Sequence, residues 1–161
     1  MDYKIRKTKL EDMKSVEDAH RRSILEICSN DYTLDQIEKF SGVKYSAEIW
    51  DNSVNNEYHI VVEVSGRVEG MCHAKLREDG DGEIVGVYFS KVIAGQGIGR
   101  DVVEMAFDYL DQFKPKNIIL TGTLTAKPFY EKMGFVEVEK KKINCRGALL
   151  DCFKMEKHIN D

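Results

Sequence analysis

Only two prolines occur in 161 residues, so little in the chain forbids regular secondary structure. No linker, repeat or low-complexity stretch divides it, and one domain over residues 1–161 is expected. No apolar run approaches the ~18 residues of a membrane span. The opening MDYKIRKTKLEDMK lacks the apolar core of a signal peptide. A cytoplasmic protein without a membrane partner is therefore expected. A basic excess is also missing. Lys and Arg number 24 against 28 Asp and Glu, a net charge of −4, which argues against a nucleic-acid partner. The four cysteines, Cys28, Cys72, Cys145 and Cys152, are widely spaced, with no CxxC and no clustered histidines. That spacing disfavours a disulfide framework or a metal site and fits thiols in a reducing compartment.

What is present is a chain 42% hydrophobic and 32% charged, ample for a core. Residues 3–6 can form a first strand. Thr8 with Glu11 reads as a capping box, opening a helix that carries Leu10, Met13, Val16, Ala19, Ile24 and Ile27 and ends near Cys28. Thr33 with Gln36 repeats that signature before a second helix, which Gly42 stops. A further helical turn is expected at residues 45–51. The period then switches from helix to strand. Strands at 58–64 and 67–76 flank the turn Ser65-Gly66, and a third follows at 83–89. A helix at 98–113 has Ile98, Val102, Ala106, Tyr109, Leu110 and Phe113 on one face, and Pro115 ends it. A buried strand at 117–121 and a short helix at 126–133, closed by Gly134, lead to a hairpin of strands 135–144 and 148–157 around Arg146-Gly147. The order β-α-α-β-β-β-α-β-α-β-β predicts a mixed α/β (α+β) fold. Its seven-stranded sheet is mostly antiparallel, with one parallel step and helices on both faces.

The most informative stretch is GEIVGVYFSKVIAGQGIG, residues 82–99. A strand runs into a turn holding Gly95, Gly97 and Gly99, and a helix opens behind it. Such a turn lets backbone approach an anion while free N–H groups and the helix dipole face it. It lacks the GxxxxGK of a Walker loop. Its glycines fall as GxGxG, with Arg100 where a dinucleotide fingerprint needs another spacing, and the region near Leu120 is apolar instead of acidic. A turn able to wrap a pyrophosphate remains, with Arg100 as an added charge. The bland alternative is a ligand-free connector.

A second segment, AKPFYEKMGF at residues 126–135, changes the balance. Together the two segments resemble the GNAT superfamily of N-acetyltransferases. There a Q/R-x-x-G-x-G/A turn binds the pyrophosphate of acetyl-CoA, and a later helix carries a Phe-Tyr pair followed by Gly-Phe. Phe129-Tyr130 and Gly134-Phe135 stand in those places, and the order of elements matches the family along the chain. Two positions depart: Ala94 replaces the leading Gln or Arg, and Thr123 replaces an asparagine near the pantetheine arm. Gln96 and Arg100 can partly stand in for the polar side chain that Ala94 does not supply.

The resemblance implies direct acetyl transfer from acetyl-CoA to a bound amine, with no metal. It implies that Tyr130 is the general acid for the leaving thiolate, since a phenol can donate to sulfur. Glu83 matches the glutamate that serves as general base in one branch, and an apolar setting would suit it to that task. His73 is its rival. Val87, Tyr88 and Phe89 are expected beside the pantetheine arm, where the family's strand bulges, with Gly86 compatible with a bulge. Gly95, Gln96, Gly97, Ile98, Gly99 and Arg100 form the expected pyrophosphate turn. Thr123 and Phe129 are expected to contact the cofactor, and Lys132 either meets the 3′-phosphate or is a solvated charge. The acceptor region, with Tyr32, Phe40, Tyr45, Trp50, Lys140 to Lys142 and Arg146, allows a polyamine, an amino-acid-like amine or a peptide N-terminus. A non-catalytic acyl-CoA-binding module and a transferase of longer acyl groups are the alternatives. The strand at 148–155 is a candidate edge for a homodimer.

Overall fold

The computed structural model describes residues 1–159. The chain begins with β1 (Tyr3–Lys7), a 3-10 turn (Leu10–Asp12), α1 (Met13–Ile27), α2 (Leu34–Ser41) and α3 (Ala47–Asn56). It continues through β2 (Tyr58–Val64), β3 (Arg67–Leu76), β4 (Gly82–Phe89) and α4 (Ile98–Asp111). It closes with β5 (Asn117–Thr123), α5 (Lys127–Lys132), β6 (Val136–Cys145) and β7 (Ala148–His158). The seven strands form one sheet in the order β1-β2-β3-β4-β5-β7-β6. All neighbours are antiparallel except β4 and β5. The expected mixed fold and order of elements hold.

Local chemistry explains most boundaries. Thr33 and Gln36 form the expected reciprocal cap at α2, at 3.2 and 2.8 Å. At α1 the box expected from Thr8 lies one residue later: Asp12 Oδ2 accepts from the Lys9 N–H at 2.8 Å. Thr8 is drawn into the sheet instead, its hydroxyl 2.7 Å from His59 Nδ1 and its N–H bonded to the His59 carbonyl. Arg6 grips Asp12 from the other side at 2.8 and 3.0 Å. The turn expected at 45–51 is drawn out into α3. The Ser46 hydroxyl caps its N-terminus, and Trp50 is anchored by its indole N–H on the Leu10 carbonyl.

The sheet is buried on both faces. On one face Val102, Ala106 and Leu110 of α4 cluster with Ile84, Ile118 and Met155 of the sheet. On the other face Val16 and Ala19 of α1 and Trp50 of α3 cluster with Val61 and Met71 of the sheet. One expectation is corrected. β7 lies between β5 and β6, so β6, and not the strand at 148–155, forms the edge opposite β1. β7 is held inside because its far side completes a seven-pair ladder with β5.

Two irregularities position a site. The β3–β4 register steps from His73↔Gly86 to Ala74↔Ile84, leaving Val85 as a bulge. β4 and β5 pair only where Gly82–Ile84 face Ile118–Leu120. Beyond Ile84 both strands continue but no longer pair, so the middle of the sheet opens.

Candidate active site

The gap between the parted strands is a cleft of about 420 Å³. One side is built from the β4–α4 turn, α4 and α5; the other from the C-terminal half of α1. The bulge at Val85 sets the neighbouring backbone, Gly86 to Phe89, along the cleft.

The glycine turn sits at its mouth. Ser90 organises the approach: its carbonyl accepts from the N–H groups of Ile93 and Ala94, and its hydroxyl from that of Val92. Gly95 and Gly97 have φ of +76° and +79°, with nothing within 4 Å of where a side chain would begin. Their geometry requires glycine and leaves open space above the backbone. Gly97 is the residue before α4, whose first intrahelical bond runs from the Asp101 N–H to the Gly97 carbonyl. The N–H groups of residues 98–100 therefore have no intrahelical partner, the condition for holding an anion. Gly99 differs in its reason: a Cβ there would stand 2.9 Å from the Phe89 ring.

Most residues expected to hold the cofactor converge here. Val87, Tyr88, Phe89, Gly95, Gly97, Gly99, Arg100, Thr123, Phe129 and Lys132 all line the cleft. Gln96 and Ile98 do not. The Gln96 side chain folds back to the Val92 carbonyl at 2.8 Å, and Ile98 is buried beneath the turn. Arg100 lies at the rim, paired with Glu104 at 3.1 Å. The Thr123 hydroxyl accepts from the Ala126 N–H at 3.1 Å and so ties β5 to the start of α5.

Tyr130 stands in the cleft wall, 5% exposed. Its ring meets Phe129 and Phe135 at centroid distances of 5.3 and 5.9 Å. Gly122 makes room for it: a Cβ there would lie 3.2 Å from the Tyr130 ring. Burial pushes the phenol well above its ordinary range, so it keeps its proton at neutral pH.

Glu83 does not line the cleft. Its carboxylate lies 3.3 Å from Arg77. Since Gly82 and Ile84 pack toward α4, alternation puts Glu83 on the α1-facing side of β4. His73 is on that side too, opposite Gly86, but outside the cleft. Its Nε2 is 2.7 Å from Glu57, and its ring stacks on His59 at 5.2 Å. Burial lowers the His73 pKa, and Glu57 opposes that shift.

Sequence reasoning read Ile24 and Ile27 as core and did not single out Ser23 or Cys28 for the site; all four line the cleft. A glycine inside a strand, Gly122, was the available signal for the Tyr130 contact. The arm after α1 is latched over this end. The Tyr32 hydroxyl accepts from the Leu124 N–H at 2.9 Å and donates to the Asp151 carbonyl at 2.8 Å. Thr125 donates to Asp31 at 2.6 Å. Among the described residues no group of side chains is arranged to hold a metal ion, and no helix is long and apolar enough to cross a membrane.

The site is thus a cleft where β4 parts from its parallel neighbour β5, with a glycine turn at its mouth. The chain belongs to the GNAT acetyltransferase domain family, whose model matches residues 28–159. Solved structures share the fold at low identity. The GCN5-related N-acetyltransferase of Rhodopseudomonas palustris superposes with a TM-score of 0.85 at 16% identity, covering 99% of this chain and 97% of that one. The PaiA N-acetyltransferase of Thermoplasma acidophilum, solved with coenzyme A, gives 0.75 at 21% identity, covering 99% and 100%. A GNAT-family acetyltransferase of Streptococcus pneumoniae gives 0.71 at 19%, covering 98% and 100%. A search of the curated proteins gave no match.

Proposed function

We propose that this protein is an acetyl-CoA-dependent N-acetyltransferase acting on a primary amine. The observation that carries the reading is the cleft between β4 and β5, with the glycine turn at its mouth and Tyr130 in its wall. Acetyl-CoA supplies the thioester. The N–H groups of residues 98–100 and the side chains of Arg100 and Lys132 suit its phosphates. Val87 to Phe89 and Phe129 suit the pantetheine arm. Backbone left unpaired at the Val85 bulge suits the polarisation of the thioester carbonyl.

Glu83, on the α1-facing side, takes the ammonium proton of the acceptor through water. The neutral nitrogen forms the new C–N bond as the C–S bond breaks. Tyr130 gives its phenolic proton to the departing sulfur, and the second nitrogen proton returns to the phenolate through solvent. The balance is one amide, one thiol and one proton released.

Calorimetric titration with acetyl-CoA, with ATP and NAD as controls, tests the cofactor: selective micromolar binding is expected. Tyr130→Phe tests the chemistry. The variant should keep acetyl-CoA affinity and lose turnover by about 10²-fold or more. Turnover at the wild-type rate would remove Tyr130 from the acid role. A wild-type protein that binds acetyl-CoA but transfers to no amine would be a binding module.

A further inference from the structure

The two sides of the cleft differ in chemistry, and the difference bears on the acceptor. At the phosphate end stand Arg100 and Lys132, the charged side chains that line the cleft among the described residues. The opposite side is walled by Ser23, Ile24 and Ile27 of α1 and Cys28 just after it, with Val85 and Tyr88 of β4. Ile24 is buried, and the Tyr88 ring is fixed by the edge of His20 at a centroid distance of 4.1 Å. This wall offers the hydroxyls of Ser23 and Tyr88, one thiol and apolar surface.

Among the described residues no Asp or Glu lines the cleft; the nearby carboxylates lie outside the lining. Glu26 accepts from the Lys91 N–H at 3.3 Å, and Asp31 from the Thr125 hydroxyl at 2.6 Å. Glu83, 3.3 Å from Arg77, is outside the lining and reaches the acceptor only through water. A ligand carrying a second ammonium would therefore leave water for a lining that holds no carboxylate to meet it, which is unfavourable. The reacting amine faces the opposite situation. Desolvation against an apolar wall favours its neutral form, and the neutral form is the nucleophile.

Resting on the acetyl-transfer reading above, we propose that the acceptor is a primary amine borne on an apolar group, aliphatic or aromatic, with no second positive charge near it. A free amine and a peptide N-terminus with an apolar first side chain share this chemistry.

The test uses the full chain at saturating acetyl-CoA and reads release of the CoA thiol. One arm compares butylamine, pentylamine, hexylamine and 2-phenylethylamine with 1,6-diaminohexane and spermidine. A second arm compares short peptides beginning with Leu, Asp or Lys. Efficiency, kcat/KM, should rise about fourfold per added methylene along the alkylamines. Hexylamine should exceed 1,6-diaminohexane at least tenfold, and the Leu peptide should lead its arm if peptides are the source. Ile27→Asp, checked for folding by its acetyl-CoA affinity, should narrow or reverse the preference for hexylamine over the diamine. Equal or better turnover of the diamine or spermidine overturns the apolar acceptor and leaves acetyl transfer standing. No turnover on any member of either arm overturns acetyl transfer, and this inference with it.

Discussion

Two histidines are held neutral inside this fold, and they set its response to acid. His20 is 3% exposed, its ring edge against Phe40 and Tyr88, and burial lowers its pKa to about 4. His59, equally buried under Trp50, falls to about 3. Burial is the main cause, with His73 and Lys7 adding to the shift and Asp12 opposing it. In the unfolded chain both would take a proton near pH 6.5. The unfolded state therefore binds more protons below that pH. Stability is complete above about 6.5 and is lost as pH falls toward the folded pKa values, by up to about 1.4 kcal/mol per pH unit for each histidine. Asp12 adds a later loss of the same sign, since hydrogen bonding to Arg6 holds its carboxyl below its ordinary value. Urea unfolding at pH 7, 6 and 5 should show the decline, and His20→Phe, placed among aromatic rings, should flatten it. An unchanged slope in that variant would sink the assignment. At this scale the sequence was unevenly legible. Phe129-Tyr130 and the glycines declared themselves by spacing. The separate reason for Gly99, contact with the Phe89 ring, did not, because it depends on a neighbour ten residues away.

Strand and helix elements were legible because their periods are local, and the places where reading failed were settled by contacts across the sheet. The capping role of Thr8 yielded to its bond with His59, 51 residues away. The apolar face of α1 read as core along its whole length, yet its last turn borders the cleft, since the strands beneath it have parted. Nothing in either strand alone announces that parting. The arm between α1 and α2 owes its place to Tyr32, whose hydroxyl serves Leu124 and Asp151 at once. Tyr32→Phe keeps the ring and removes both bonds. A loss of about 1 kcal/mol is expected by chemical denaturation, with faster amide exchange at Leu124. Exchange at Leu124 as slow as in the wild type would mean that this bond does not hold the arm.

At the scale of the whole molecule the open question is what the sheet's β6 edge does. β6 is exposed along nearly its whole length, a condition that invites pairing with a second chain. Its own features oppose that. Lys140, Lys141 and Lys142 stand in succession, and the register with β7 slips between Glu137 and Glu139, a bulge that interrupts a flat edge. Two β6 strands paired about Lys141 would bring lysine against lysine, which like-charge repulsion disfavours. β7, the strand expected from the sequence as a candidate edge, is already paired on both sides. Copies are therefore not expected to pair through β6, and light scattering at micromolar concentration should give the monomer mass of 18.5 kDa unless another surface joins them. Replacing the three lysines with Thr, Val and Thr should promote association by removing the charge barrier. A wild-type mass of twice the monomer, insensitive to salt, would show that another surface joins two copies and that the lysines guard nothing.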